Sequence, residues 1–155
     1  MDLSLLKDTI ERAKKYQTKL IIVTGKDASR LLEIASAVDD FQLINMDLEL
    51  SEKLVDIPKQ NRPKLITSVF ADLLIENRSK VLCLDHIHIL FDCTLSVDPL
   101  KLLRSNAKNL TLVVAWPGDK NASSLSYATP NHPEYRSYKV SEYDETIFIE
   151  AEKRI

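Results

Sequence analysis

The feature that most constrains the fold is a set of short apolar runs that do not alternate with polar residues. Three of them are Leu20–Thr24, Val81–Asp85 and Leu110–Ala115. A strand covered by protein on both faces has this continuous pattern, and such strands occur in parallel sheets flanked by helices. Segments with the apolar spacing of amphipathic helices separate the runs. The sequence therefore predicts a three-layer α/β sandwich on a five-stranded, mainly parallel sheet.

The apolar periodicity and the breaker residues also predict where each element lies. The predicted strands are residues 19–24, 41–46, 81–85, 110–115 and 146–150, and the last one alternates as an edge strand does. The predicted helices are residues 3–16, 28–38, 50–55, 62–76 and 99–106. Residues 119–139 are rich in Pro, Asn and Ser, which favours a loop. Without a repeat or a linker, residues 1–155 are predicted to form a single domain.

Composition excludes several classes of protein. No run approaches the roughly 18 apolar residues of a membrane span, and the mixed-charge N-terminus is unlike a signal peptide, so we expect a cytoplasmic protein without membrane contact. The net charge of −2 argues against nucleic-acid binding by bulk electrostatics, but it does not exclude a local basic patch. We expect the basic residues Lys101, Arg104 and Lys108 to form a solvated helix face.

Glycine is scarce, because the chain has two where average usage of about 7% predicts roughly eleven. Gly25 and Gly118 each follow an apolar run. We expect each glycine to hold a position that requires a positive φ or a close backbone approach.

The order of elements around Gly25 and Asp85 indicates a nucleotide site. A strand, a loop that begins with Gly25, a helix, and a later strand that ends in Asp85 form the skeleton of a P-loop site, in which the loop binds phosphates and the Asp holds Mg²⁺. Lys26 or Arg30 would supply the cation, and ATP and Mg²⁺ would be the cofactors. The candidate nucleotide-binding residues are Gly25, Lys26, Asp27, Ala28, Ser29, Arg30 and Leu31.

The loop departs from the full P-loop motif. The second Gly, the Lys and the Ser/Thr of the motif fall on Arg30, Leu31 and Leu32, and a loop shortened by one residue still puts Leu31 where the hydroxyl should be. A plain strand-to-helix turn is the alternative. Asp85 has the alternative of a helix cap or a core ion pair. His86 stands where an acid would activate water, so it is a candidate, though unusual, catalytic base.

Two further groups of residues are candidate sites. The cluster of Cys83, Asp85, His86, His88, Asp92 and Cys93 matches no familiar zinc spacing, so core and rim residues with free thiols are expected. If β-strand alternation continued past Asp85, His86 and His88 would share one face of the sheet. The stiff, aromatic segment 127–135 could cover the sheet edge, meet a partner, or be an ordinary surface loop.

Four stretches of the sequence carry a family resemblance: residues 45–51 (Asn-Met-Asp-Leu-Glu-Leu-Ser), 84–91 (Leu-Asp-His-Ile-His-Ile-Leu-Phe), 114–118 (Val-Ala-Trp-Pro-Gly), and 125–128 with 132–136. With the strand and loop at 20–32, they span most of the chain in order. The chain resembles the BrxF family, the small P-loop proteins of type 3 BREX (bacteriophage exclusion) systems.

The resemblance implies a role in phage defence beside a methyltransferase, a phosphatase-like protein and a large ATPase or helicase. It also implies an AAA-like or ASCE-type core without a lid domain, with the strand of Asp85 central. Relatives carry a fuller Gly-rich loop that ends in Gly-Lys-Ser/Thr, whereas here only Gly25 matches. Pro117 stands where a polar sensor residue would be expected.

The first hypothesis is therefore an accessory component of the defence complex with a degenerate nucleotide site. It would contact a partner, or a second copy of itself, through the surface at the carboxyl ends of the strands. The alternatives are an active Mg²⁺-dependent ATPase and a DNA-contacting adaptor, with DNA touched weakly or indirectly.

Overall fold

The main sheet has five strands, and all of its pairings are parallel. The computed structural model describes residues 3–39, 41–77 and 79–151. In these residues the strands are β1 Leu20–Thr24, β2 Gln42–Asn45, β3 Val81–Asp85, β4 Thr111–Ala115, β5 Asp119–Lys120, β6 Ser124–Tyr127, β7 Arg136–Lys139 and β8 Thr146–Glu150. The main sheet has the order β2-β3-β4-β1-β8. The predicted parallel sheet is confirmed and β8 is an edge strand, whereas β4, rather than the strand of Asp85, occupies the centre.

Helices cover both faces of this sheet. They are α1 Leu3–Ala13, α2 Ala28–Asp39, α3 Met46–Leu54, α4 Arg62–Glu76 and α5 Pro99–Asn106. α1 and α2 pack on one face, and α3, α4 and α5 pack on the other. The sandwich therefore has the three predicted layers. None of the helices in the described residues is long and apolar enough to cross a membrane.

The continuous apolar runs reflect burial on both sides of the sheet. Ile21 and Cys83 point into the core under α1 and α2, whereas the adjacent Ile22 and Leu84 point into the core that contains Phe70 of α4. Successive side chains of a strand face opposite ways, so a strand covered on both faces needs an apolar residue at nearly every position. This requirement explains why the strands could be predicted from the sequence.

The start of α3 differs from the prediction. The sequence predicted a strand up to Met46 and a helix from Leu50, but β2 ends at Asn45 and α3 follows at once. The side chain of Asn45 accepts the backbone N–H of Leu48 at 3.1 Å, which satisfies a free donor of the first turn. Since Asn45 pairs in register with Asp85, this cap brings the first turn of α3 to the end of β3.

Replacing the cap with alanine should destabilise the protein modestly. We expect Asn45→Ala to lower the free energy of unfolding by about 1 kcal/mol, because the Leu48 N–H loses its partner. Asn61 occupies the same cap position of α4 but makes no side-chain cap bond, so Asn61→Ala should change stability by less than about 0.5 kcal/mol. Urea denaturation of both variants tests this, and equal effects would contradict the assigned cap.

The predicted loop at 119–139 is wrong in part, because β5, β6 and β7 form a small antiparallel sheet there. Each of the two longer strands buries a single side chain, Leu125 in β6 and Tyr138 in β7. One buried position per strand leaves no alternation to detect. The sheet packs on the same face as α5, where the Tyr138 hydroxyl donates to Asp98 Oδ1 at 2.9 Å.

Candidate functional site

A cleft opens at the carboxyl ends of the strands because the chain leaves neighbouring strands in opposite directions. After β1 it passes to α2 on one face, whereas after β3 and β4 it continues on the other face. Ligands of parallel α/β sheets bind where such connections diverge. The cleft has a volume of about 460 Å³, which lies within the range of ligand sites. Its lining residues are Thr24, Gly25, Lys26, Ala28, Ser29, Asp85, His86, His88, Ala115, Trp116, Pro117, Gly118, Asp119, Lys120 and Glu150.

Both glycines lie in this lining, and, as predicted, each occupies a position where a residue with a side chain would be strained. Gly25 has a φ of 103°, a conformation that residues with a side chain rarely adopt. At Gly118 an added Cβ would lie 1.8 Å from the carbonyl oxygen of Ser126. The two scarce glycines therefore shape the two walls of the cleft.

Ser29 and Asp85 form the central contact of the cleft. The Ser29 hydroxyl donates to Asp85 Oδ1 at 2.8 Å, and the same oxygen accepts the backbone N–H of His86 at 2.8 Å. The Asp85 side chain is only 6% exposed. A carboxylate at this depth is costly without such partners.

The alignment of the loop with the P-loop motif did not predict a hydroxyl beside Asp85. The alignment placed the expected hydroxyl position on Leu31 or Leu32, but both residues are buried in the core under α2. Because α2 begins at Ala28, the loop after Gly25 is shorter than the full motif by several residues. Ser29 thereby supplies a hydroxyl beside Asp85.

Some backbone N–H groups of the short loop form hydrogen bonds within the protein. Asp27 donates its N–H to the carbonyl of Ala151 at 2.8 Å, and Ala28 donates to the carbonyl of Gly25 at 3.2 Å. These two N–H groups do not point into the cleft. The loop thus has fewer phosphate donors than a full glycine-rich loop, which uses successive inward N–H groups.

Two cations line the cleft, Lys26 of the loop and Lys120 of β5. Of the candidate residues, Gly25, Lys26, Ala28 and Ser29 line it, whereas Asp27, Arg30 and Leu31 lie outside the lining. Sequence reasoning missed Lys120 because it lies in the small sheet, 94 positions after Lys26.

His86 occupies an unusual backbone position at the end of β3. It has a φ of 52°, which is uncommon for a residue with a side chain. Because β3 ends at Asp85, as predicted, and the chain turns there, β-strand alternation does not extend to His86 and His88. The Nε2 atom of His86 lies 3.5 Å from Asp85 Oδ2, and the His86 side chain is half-exposed in the cleft.

Asp47 joins the two histidines in a second polar cluster. Its backbone N–H donates to the carbonyl of His86 at 2.7 Å, its Oδ1 accepts the N–H of Ile89 at 2.7 Å, and its Oδ2 lies 3.1 Å from His88 Nδ1. Ligand atoms of Asp47, His86 and His88 all lie within 4.8 Å of one another. Sequence reasoning missed Asp47, because it precedes His86 by 39 positions and was assigned to the connection after β2.

The larger cluster weighed from the sequence does not assemble. Cys83 points into the opposite core, Cys93 donates to the carbonyl of Pro133 at 3.1 Å, and Asp92 accepts the N–H of Thr94 at 2.9 Å. Both cysteines are free thiols, as predicted, but only Cys83 is a core thiol, because Cys93 is exposed.

The stretch from Tyr127 at the end of β6 to Arg136 at the start of β7 packs on the residues that follow β3. Tyr127 stacks on Phe91 with ring centroids 3.8 Å apart, and Arg136 donates to the carbonyl of Val97 at 3.1 Å. Burial raises the pKa of Tyr127, with Glu134 and Asp47 adding to the effect. The segment therefore helps to hold the chain after β3, beside the second cluster.

No protein-family model matches the chain, and no curated protein is significantly similar to it.

Proposed function

We propose that the chain is an accessory component of a BREX-type anti-phage defence complex, with a P-loop (AAA/ASCE-like) core and a degenerate site for a Mg²⁺-nucleotide. The observation that carries the nucleotide site is the 2.8 Å contact of Ser29 with Asp85 in the cleft. In a P-loop site the Ser/Thr after the loop and an Asp at the end of a neighbouring strand hold the metal. Hydroxyl and carboxylate oxygens are the ligands that Mg²⁺ prefers, so this pair fits the ion.

The phosphates would lie at the beginning of α2. A helix N-terminus attracts anions through its dipole and its N–H groups, and the exposed Lys26 adds a positive charge in the cleft lining. Bound Mg²⁺ would neutralise phosphate charge there. Because the N–H groups of Asp27 and Ala28 already have partners in the protein, we expect weaker binding than in a full P-loop.

The accessory role is favoured over an active ATPase by the residues around Asp85. His86, rather than an acid, follows it, and its left-handed backbone directs the chain away from strand geometry. Pro117, which has no side-chain donor, lines the cleft at the end of β4. A base from a partner, or His86 itself, would be needed for hydrolysis.

The partners are proposed from the family resemblance: a methyltransferase, a phosphatase-like protein, a large ATPase or helicase, or a second copy of this chain. A DNA-contacting adaptor is less well supported. The expected basic helix face does not form in full, because α5 ends at Asn106 and Lys108 lies beyond it. Arg104 donates to the Asp144 carbonyl and Lys108 to the Thr18 hydroxyl, so two of the three expected solvated charges have protein partners.

Thermal denaturation with Mg²⁺-ATP tests the nucleotide site. A ligand selective for the folded state stabilises it, by about 2.7 kcal/mol at 100 times its Kd, so we expect millimolar Mg²⁺-ATP to raise the Tm. Ser29→Ala should reduce the affinity by about tenfold, as expected from the loss of one hydrogen bond to a charged group. Ser36→Ala, on the same helix but outside the cleft lining, should leave the affinity unchanged.

No Tm increase with Mg²⁺-ATP, or equal affinities for Ser29→Ala and the unchanged chain, would refute the site. Phosphate release that depends on Asp85 would instead establish the active ATPase. Salt-sensitive retention on duplex DNA would support the adaptor.

A further inference from the structure

We propose that Asp47, His86 and His88 form a binding site for a transition-metal ion, best matched to Zn²⁺, at the mouth of the cleft. The three residues come from the ends of two adjacent strands, β2 and β3, and their ligand atoms converge within 4.8 Å. This proposal does not rest on the nucleotide site, which uses Ser29, Asp85 and Lys26.

The spacing of the donor atoms fits a small ion. Two ligands that each lie 2.0–2.1 Å from a tetrahedral Zn²⁺ are about 3.3 Å apart. His88 Nδ1 and Asp47 Oδ2 are 3.1 Å apart, which is close to this ligand–ligand spacing. His86, whose side chain is half-exposed, supplies the third donor atom, which lies within 4.8 Å of the other two.

Asp47 is held in place before any ion binds. Its backbone N–H is fixed by the His86 carbonyl, and its Oδ1 is fixed by the N–H of Ile89, each at 2.7 Å. Its Oδ2 remains directed towards His88. A side chain that is already oriented loses little conformational freedom when it binds an ion. Asp47 should therefore bind an ion more tightly than a freely rotating surface carboxylate would.

The backbone at His86 also serves this arrangement. Left-handed residues other than glycine cost free energy and cluster at functional positions. Here the backbone with a φ of 52° directs the His86 carbonyl towards the backbone N–H of Asp47, and the His86 ring lies beside the cleft. Asp85 Oδ2, 3.5 Å from His86 Nε2, is placed as the outer carboxylate that commonly orients a metal-binding histidine.

The donor set selects the class of metal. Two imidazoles and one carboxylate favour Zn²⁺ and its transition-metal neighbours over Mg²⁺ and Ca²⁺, which prefer oxygen donors. Three protein ligands leave a coordination position for water or another small donor. Both histidines line the cleft, so this position is open to solvent and to whatever the cleft binds.

Isothermal titration of the full chain with Zn²⁺, after chelator treatment and removal of any histidine tag, tests the site. We expect one ion per chain. Asp47→Asn should weaken Zn²⁺ binding by about 100-fold or more, since changes even in outer-shell residues cost 10–100-fold. The variant keeps an oxygen for the Ile89 N–H and should fold normally, which circular dichroism would verify. Co²⁺ should report the same site through its visible absorption.

Two variants serve as controls. His132→Ala removes the remaining histidine, which lies in the segment between β6 and β7, and Cys93→Ser removes the exposed thiol. Both should bind Zn²⁺ as the unchanged chain does, and Ser29→Ala should also retain it. Absence of stoichiometric binding, or equal affinity in Asp47→Asn, would overturn the proposal. Because Ser29→Ala affects only the nucleotide, failure of one site is distinguishable from failure of the other.

Discussion

Gly118→Ala is expected to destabilise the protein by about 3 kcal/mol, the upper end of the usual cost of overpacking. The added Cβ would lie 1.8 Å from the Ser126 carbonyl oxygen and 2.9 Å from Trp116 Nε1. The Ser126 carbonyl accepts the indole N–H at 2.9 Å, so the methyl group must separate β5 from β6 and break this bond. Trp116 is the single tryptophan of the chain, and its fluorescence should shift together with the loss of stability in urea.

Ala122→Ser is the matched control for this prediction. It adds one heavy atom at an exposed position in the connection between β5 and β6, and surface changes of this kind stay within about 0.5 kcal/mol. Unchanged stability and unchanged Trp116 fluorescence in Gly118→Ala would show that the close approach at Gly118 does not exist in solution.

The elements that could be predicted from sequence are those with a strong local pattern. α4, α5, β3 and β8 have the predicted bounds. The buried strand β3 is apolar along its length, β8 has the alternating pattern of an edge strand, and Pro63 and Pro99 mark helix starts. The small sheet could not be predicted, since β6 and β7 each bury one side chain and so show no alternation. Its existence depends on packing against α5 and the turn after β3 rather than on local preference.

In the candidate site, too, residues with a local sequence pattern could be predicted, and contacts that depend on the fold could not. Gly25, Lys26, Ser29 and Asp85 were candidates because each follows a recognisable strand, and the cleft contains all four. The contact between Ser29 and Asp85 depends on the length of the loop, which a motif alignment cannot give. Asp47 was missed because only the register of β2 with β3 brings it to His86.

The cleft therefore brings together two sets of donor atoms that suit different kinds of ion. Oxygen donors at Ser29 and Asp85 suit a hard ion with a phosphate ligand, whereas Asp47 and the two histidines suit a softer ion. Asp85 connects them, because its Oδ1 accepts from Ser29 and its Oδ2 faces His86. We expect substitutions of Asp85 to affect both ions, whereas substitutions of Ser29 or Asp47 affect one each.

The stability of the protein should fall in alkali partly through Cys83. This thiol is fully buried in β3, and burial raises its pKa from 9.0 to about 11. Because the pKa is higher in the folded state than in the unfolded state, the neutral thiol favours folding fully below pH 9, and this contribution is lost as the pH rises from 9 to about 11. A difference of two pKa units corresponds to about 3 kcal/mol.

Cys83→Ala isolates this contribution. At neutral pH it should cost about 1 kcal/mol for the smaller side chain, but its free energy of unfolding should then fall less steeply than that of the unchanged chain between pH 9 and 11. All other ionisable side chains are the same in both chains, so the difference between the two curves is assigned to Cys83. Cys93→Ala removes an exposed thiol and should give a curve parallel to that of the unchanged chain. Parallel curves for Cys83→Ala as well would mean that the thiolate is not excluded from the core, and that the sheet around β3 opens to water more readily than its packing indicates.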